Sequence, residues 1–128
     1  MRSEALLRTE LFNYGHISAI DFQTGEIRWR YRDPQPIMAG VLSTAGGLVF
    51  SGSQTGYALA LDAATGERLW NFKLGGGIRS QPVAYQAGGE TFVVIASGNF
   101  GSIAGAVGGD TRIPEGGHLF VFKLREDY

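Results

Sequence analysis

Ala19-Ile20-Asp21-Phe22-Gln23-Thr24-Gly25-Glu26-Ile27-Arg28-Trp29 returns 41 residues later as Ala60-Leu61-Asp62-Ala63-Ala64-Thr65-Gly66-Glu67-Arg68-Leu69-Trp70. The shared pattern is Ala-x-Asp-x-x-Thr-Gly-Glu-x-x-Trp. A period of roughly 40–45 residues is the length of one four-stranded propeller blade. Each residue of the pattern has a structural use. Asp and Thr side chains bond to the backbone of a tight turn, and Gly supplies a conformation that other residues resist. The Trp offers a flat face to a neighbouring blade, and the Ala is small enough to leave it room. Ala19, Asp21, Thr24, Gly25 and Trp29 are therefore read as docking parts, as are Ala60, Asp62, Thr65, Gly66 and Trp70. None of them is read as catalytic.

Between the two copies lies one complete unit. Residues 39–44 read as strand A, 48–53 as strand B, 57–62 as strand C and 68–74 as strand D. Gly46-Gly47, Gln54-Thr55-Gly56 and Ala64-Thr65-Gly66 form the turns. A third copy follows, with strand A over 81–86, strand B over 91–97 and strand C over 117–122. About 20 residues are inserted between its last two strands, judged against the repeat period. The expected fold is all-β, a partial propeller of four-stranded antiparallel blades, about two blades in total. Its parts are an extension over 1–14, with a helix as one reading, and a half blade over 15–35. A full blade over 36–76 follows, then a last blade over 77–128 that lacks strand D and carries the 97–116 loop insertion. Closed propellers have about four to eight blades, so these strands do not close a ring.

Composition narrows the function classes. The 128 residues carry 11 Lys and Arg against 12 Asp and Glu, for a net charge of −1, and no basic run that would suggest nucleic acid. With no cysteine, there is no disulfide framework, thiolate metal site or cysteine nucleophile. No apolar run is long enough to span a bilayer, and the first residues show no signal-peptide pattern. Gly is high at 20 residues, clustered as doublets and one triplet that read as turns.

The run Gly40-Val41-Leu42-Ser43-Thr44-Ala45-Gly46-Gly47-Leu48-Val49-Phe50-Ser51-Gly52, with Gly56-Tyr57 through Trp70 and Pro82-Val83-Ala84-Tyr85, resembles the C-terminal end of pyrroloquinoline-quinone (PQQ)-dependent alcohol dehydrogenases. These are eight-bladed quinoprotein propellers, and the resemblance covers roughly residues 15–124. The repeat motif by itself is shared with outer-membrane assembly lipoproteins; the Gly-Val-Leu-Ser-Thr-Ala-Gly-Gly run is the more discriminating signal. The resemblance implies a periplasmic enzyme oxidising an alcohol to an aldehyde, with hydride transfer to PQQ beside a calcium or lanthanide ion. It places the base, the metal ligands and the adjacent-cysteine disulfide in earlier blades, so this chain holds no catalytic or metal-ligating residue. The expected cofactor rim is Met38, Ala39 and Gly40 with Asn99, Phe100 and Gly101. Two positions depart from the family: Ile37-Met38 stands where a Trp often precedes the Gly-Val-Leu run, and Gly98-Asn99-Phe100-Gly101-Ser102 keeps glycines without an indole. The quinone and metal are thus implied for the parent ring more than for this segment alone.

Other conspicuous residues have plainer readings. His16 and His118 hold equivalent places ahead of strand C, and neither has partners at metal-ligand spacing. Gly75-Gly76-Gly77 lacks the strand–glycine–helix context of a phosphate cradle and reads as an inter-blade turn. Asp110, Arg112 and Glu115 sit in the insertion, as a solvated lid or a contact to substrate or partner. Two functions remain open: an inactive segment of a PQQ-dependent alcohol dehydrogenase, or a non-catalytic propeller scaffold for protein–protein interaction. The partners are correspondingly the remaining blades of the parent, or other copies joined through open edges.

Overall fold

The computed structural model describes residues 14–98 and 117–125. Among them every regular element is a strand, arranged as three antiparallel sheets in chain order. The first sheet pairs β1 (Gly15–Ile20) with β2 (Ile27–Asp33). The second has four strands, β3 (Leu42–Ser43), β4 (Leu48–Gly52), β5 (Tyr57–Asp62) and β6 (Arg68–Lys73). The third has β7 (Val83–Ala87), β8 (Glu90–Gly98) and β9 (Gly117–Leu124). The chain is all-β and forms part of a propeller of antiparallel blades. The 1–13 part of the N-terminal extension and 99–116 of the insertion lie outside the described residues.

Both copies of the motif fold alike. Asp21 Oδ1 accepts the backbone N–H of Gln23 at 2.9 Å and of Thr24 at 3.1 Å, while Thr24 Oγ1 accepts that of Glu26 at 3.2 Å. Asp62 accepts Ala64 and Thr65 N–H at 2.7 and 3.3 Å, and Thr65 accepts Glu67 N–H at 3.2 Å. Each turn closes on a glycine with positive φ, +74° at Gly25 and +75° at Gly66. Each hairpin carries the same register shift, at Ala19/Ile20 and at Ala60/Leu61. Ala19 lies opposite Trp29 and Ala60 opposite Trp70, so the small residue sits where the indole crosses the sheet.

The indoles join the sheets. Ile17, Trp29, Tyr31 and Ile37 pack on Val49, Leu61 and Ala63 of the second sheet. Trp29 Nε1–H donates to the Ala63 carbonyl at 2.8 Å. A second core forms from Phe50, Ala58, Ala60, Leu74 and Ile78 with Val93 and Ile95 of the third sheet. There Trp70 meets Phe122 edge-on at 5.0 Å between centroids, and Phe72 meets it at 5.4 Å. Edge-to-face rings suit the aromatic quadrupole and add about 0.5–1.5 kcal/mol beyond area burial.

One strand is shorter than its sequence suggests. Strand A, expected over 39–44, is reduced to Leu42–Ser43. Ahead of it the Ser51 hydroxyl donates to the Gly40 carbonyl at 3.0 Å, so a side chain takes the place of a ladder bond. Gly40 also abuts Gln81, whose Cβ would lie 2.7 Å from any side chain placed there. The other strands agree with the sequence to within a few residues at each end.

The two glycine turns provide an internal comparison. A Cβ at Gly25 would meet nothing within 4 Å, whereas one at Gly66 would lie 2.5 Å from the Trp29 ring. Gly25→Ala is expected to cost only the left-handed backbone penalty, about 1–2 kcal/mol. Gly66→Ala adds the displacement of a hydrogen-bonded indole, another ~1–3 kcal/mol. Urea unfolding followed by the fluorescence of the two tryptophans checks the order; equal losses would remove the indole from the explanation.

The Arg28 guanidinium binds Asp21 Oδ2 at 2.5 Å, and this bond, followed by the Gln23 and Thr24 N–H groups, lowers the Asp21 carboxyl below its ordinary 3.8. A carboxyl depressed on folding stabilises the fold above its unfolded pKa, and that contribution is lost as pH falls through the folded value. Arg28→Leu, which copies Leu69 of the second repeat, should raise the Asp21 pKa in an NMR titration of the carboxyl. An unchanged pKa would mean that the turn amides alone set it.

Candidate functional site

The sheets present two unlike ends. At one, the β3–β4 turn meets the β5–β6 turn, with Ala63 N–H donating to Gly47 O at 2.9 Å. Asp21, Thr24 and Gly25 occupy the corresponding β1–β2 turn, so the polar residues of the repeat gather at this end in structural bonds.

At the opposite end the β4–β5 turn lies against the connections between sheets. Ile78 N–H donates to Ser53 O at 3.1 Å, Leu74 N–H to Gly56 O at 2.7 Å, and Gly98 N–H to Gly77 O at 2.9 Å. Met38, Ala39 and Gly40 belong to the β2–β3 connection at this end. Met38 is 43% exposed, and Ala39 is half-buried against the second core. Asn99, Phe100 and Gly101, which the sequence places at the start of the insertion, lie outside the described residues, as do Asp110, Arg112 and Glu115. The structure therefore describes one half of the expected rim.

The glycines here are explained by the chain itself. A Cβ on Gly76 would lie 3.2 Å from Gly98 N, and one on Gly77 would lie 2.9 Å from Gln54 O. A Cβ on Gly52 would fall 2.5 Å from Ile78. These contacts bring neighbouring sheets into backbone range and leave Gly75–Gly77 as an inter-sheet turn.

The motif reading missed two polar groups. Gln54, in the β4–β5 turn, is 2% exposed, and neither its amide nitrogen nor its amide oxygen has a hydrogen-bond partner. Ser97, near the end of β8, has an unpartnered buried hydroxyl. A buried amide without protein partners costs free energy unless water or a ligand reaches it. A Gln between Ser53 and Thr55 in a glycine-bounded turn gives no sequence signal of burial, because turns are ordinarily exposed.

Among the described residues charges are sparse at this end. Asp33 is buried at the end of β2 and accepts Gln35 N–H at 2.9 Å. Burial, and next the Asp33 carboxylate, push the Tyr31 phenol above its ordinary 10.0. His16 and His118 are exposed and lie near Tyr14 and Phe120 respectively. Among the described residues no three His, Cys, Asp or Glu side chains gather as a metal site, and no helix is long and apolar enough to cross a membrane.

The family model described as outer membrane protein assembly factor BamB matches residues 13–110. The chain is similar to quinoprotein ethanol dehydrogenase of Pseudomonas aeruginosa, 40% identical over 115 residues that cover 86% of the chain and 18% of that protein. It is 44% identical over 94 residues to 1-butanol dehydrogenase (quinone) of Thauera butanivorans, covering 70% of the chain and 15% of that protein. Among solved structures, a europium-containing methanol dehydrogenase superposes with a TM-score of 0.76 at 32% identity, over 88% of this chain and 23% of that one. The chain thus spans less than a quarter of the length of these relatives. The assembly-factor description reflects a repeat held in common, while the full-length relatives at 40% and 44% identity are dehydrogenases. Sheet order, repeat and relatives agree: the chain belongs to the PQQ-repeat propeller family and, within it, to the quinoprotein alcohol dehydrogenases.

Proposed function

We propose that this chain is a segment of a periplasmic PQQ-dependent alcohol dehydrogenase, and that it contributes part of the cofactor rim without the catalytic base or metal ligands. The observation that carries this reading is the 40% identity to quinoprotein ethanol dehydrogenase across 86% of the chain. When bound, PQQ supplies a two-electron acceptor for the hydride of an alcohol that leaves as the aldehyde. The end bearing the β4–β5 turn fits one edge of that group. Met38 is exposed there, and the unpartnered Gln54 amide marks the same end as polar and incompletely satisfied. Among the described residues no three His, Cys, Asp or Glu side chains gather as metal ligands, and in this reading calcium or a lanthanide would be held by other blades of the parent.

The chain's own residues would act by shape. The Ser51 bond to the Gly40 carbonyl, and the contact of Gly40 with Gln81, fix the backbone that presents Met38. A thioether is polarizable and packs on flat rings, worth about 0.3–1.5 kcal/mol for each sulfur–aromatic contact. Ala39 keeps that surface low, and Asn99, Phe100 and Gly101 would complete it from the insertion. The remaining blades would cover the open face of the third sheet, where Val83, Leu119 and Val121 are exposed.

A scaffold function is the second reading, favoured by that same open face, which suits assembly with other copies. Native mass spectrometry separates the two readings: a stable ring of several copies would favour the scaffold, and a monomer the segment.

Two outcomes are expected. The isolated chain, with PQQ and calcium or a lanthanide added, gives no dye-linked oxidation of ethanol; turnover would place the base within this chain. In the full-length parent, Met38→Ala weakens PQQ binding about two- to tenfold in a fluorescence titration. Unchanged affinity would remove Met38 from the rim.

A further inference from the structure

We propose that the outward face of β2 is a docking surface for an acidic protein, formed by Arg28, Arg30 and Arg32. These residues alternate with Trp29 and Tyr31, which point into the first inter-sheet core. Strand periodicity therefore sends all three arginines to the other face, about 7 Å apart along the strand. All three are exposed.

Each guanidinium is held by a neighbour. Arg28 is paired with Asp21, Arg30 Nε–H donates to Ser18 Oγ at 3.0 Å, and Arg32 lies over the Tyr14 ring at 5.2 Å. Asp21 neutralises one charge, and the next acidic residue on the strand, Asp33, is buried on the opposite face. Among the described residues, Arg30 and Arg32 have no carboxylate partner, on a chain whose net charge is −1. Side chains already held in place lose less entropy when a carboxylate arrives, and the guanidinium fork matches carboxylate geometry.

The second repeat indicates that this face stays open in a larger ring. Leu69, Asn71 and Lys73 hold the equivalent places on β6, and all three are exposed although the first sheet packs on the inner part of that face. Outer strands splay apart, so a blade preceding β1 would leave the arginines at the rim. The fold does not require the charges either, because only one of the three β6 residues is basic. The stripe spans three alternating positions of one strand, too short for a groove that tracks nucleic acid. Complementary carboxylates on a protein surface fit best. Docking there would act through the rim and leave the Met38 end free, so it stands whether or not the cofactor reading holds.

The test is fluorescence anisotropy with labelled poly-L-glutamate as probe, beside a labelled oligothymidylate and phosphatidylglycerol vesicles. Poly-L-glutamate should bind the unaltered chain and weaken about tenfold as salt rises from about 50 to 250 mM. Arg30→Glu with Arg32→Glu should lose binding at least about tenfold, and Lys73→Glu should leave it unchanged. If charge reversal disturbs folding, as tryptophan fluorescence would report, Arg30→Gln with Arg32→Gln decides and should lose about three- to tenfold. No binding by the unaltered chain, equal binding by the Gln variant, or tighter binding of the oligonucleotide or vesicles would overturn the proposal.

Discussion

The Trp29 indole lies against Gly66 and donates its N–H to the Ala63 carbonyl at 2.8 Å, and the stacking of the first two sheets depends on this contact. The indole belongs to the outer strand of one sheet, while glycine and carbonyl belong to the β5–β6 turn of the next. Three requirements follow for a short sequence. The turn must bring a left-handed residue to the ring, and Gly alone satisfies both the +75° φ and the missing Cβ. The carbonyl must be held in place, and the Asp62 and Thr65 bonds to the turn do this. The ring must also cross its own sheet beside a small residue, which is Ala19. One contact thus accounts for most of the motif, and removing an indole of this kind from a core typically costs about 3–5 kcal/mol.

The second interface reaches a similar result by other means. Trp70 meets Phe122 edge-on, with Phe72 and Phe120 completing an aromatic cluster. On the far side of the third sheet the small residues are gone. Leu119 and Val121 stand where the second sheet has Ala58 and Ala60, and both are exposed, Leu119 at 69%. Val121 lies opposite Val94 as Ala60 lies opposite Phe50. The space that a crossing indole uses in the first two sheets is filled here by a β-branched side chain, so whatever covers this face packs without the same Trp-and-Ala arrangement.

What was legible in the sequence was local or periodic. Asp21 and Asp62, each followed three residues on by Thr and four on by Gly, disclosed the turns, and the 41-residue period disclosed the sheet. Contacts between distant residues were not legible. Nothing in the sequence says that Gln81 closes on Gly40, and that contact, with Ser51, is what shortens β3 to two residues. The buried Gln54 amide was hidden for the same reason, since its burial comes from a connection more than 20 residues away. Of the residues expected at the rim, Met38, Ala39 and Gly40 fall in the β2–β3 connection, while Asn99, Phe100 and Gly101 lie outside the described residues.

The repeat also separates the places where this protein can differ from its relatives. A strand such as β2 commits Trp29 and Tyr31 to the core, and the motif fixes the turn before it. The outward positions 28, 30 and 32 are free of those demands. In β6 those outward positions are Leu69, Asn71 and Lys73, a set with no common chemistry, as expected where selection asks only for tolerance. Three arginines at the matching places of β2, each with its own holding contact, differ from that background. The connections differ in the same sense: Met38 is exposed in a segment whose backbone is fixed by a hydrogen bond and a close contact. Residues that the fold leaves free, yet that are held in place, are the places to look for chemistry beyond the fold. Among the described residues they fall at two separate places, the connection end and the outer rim.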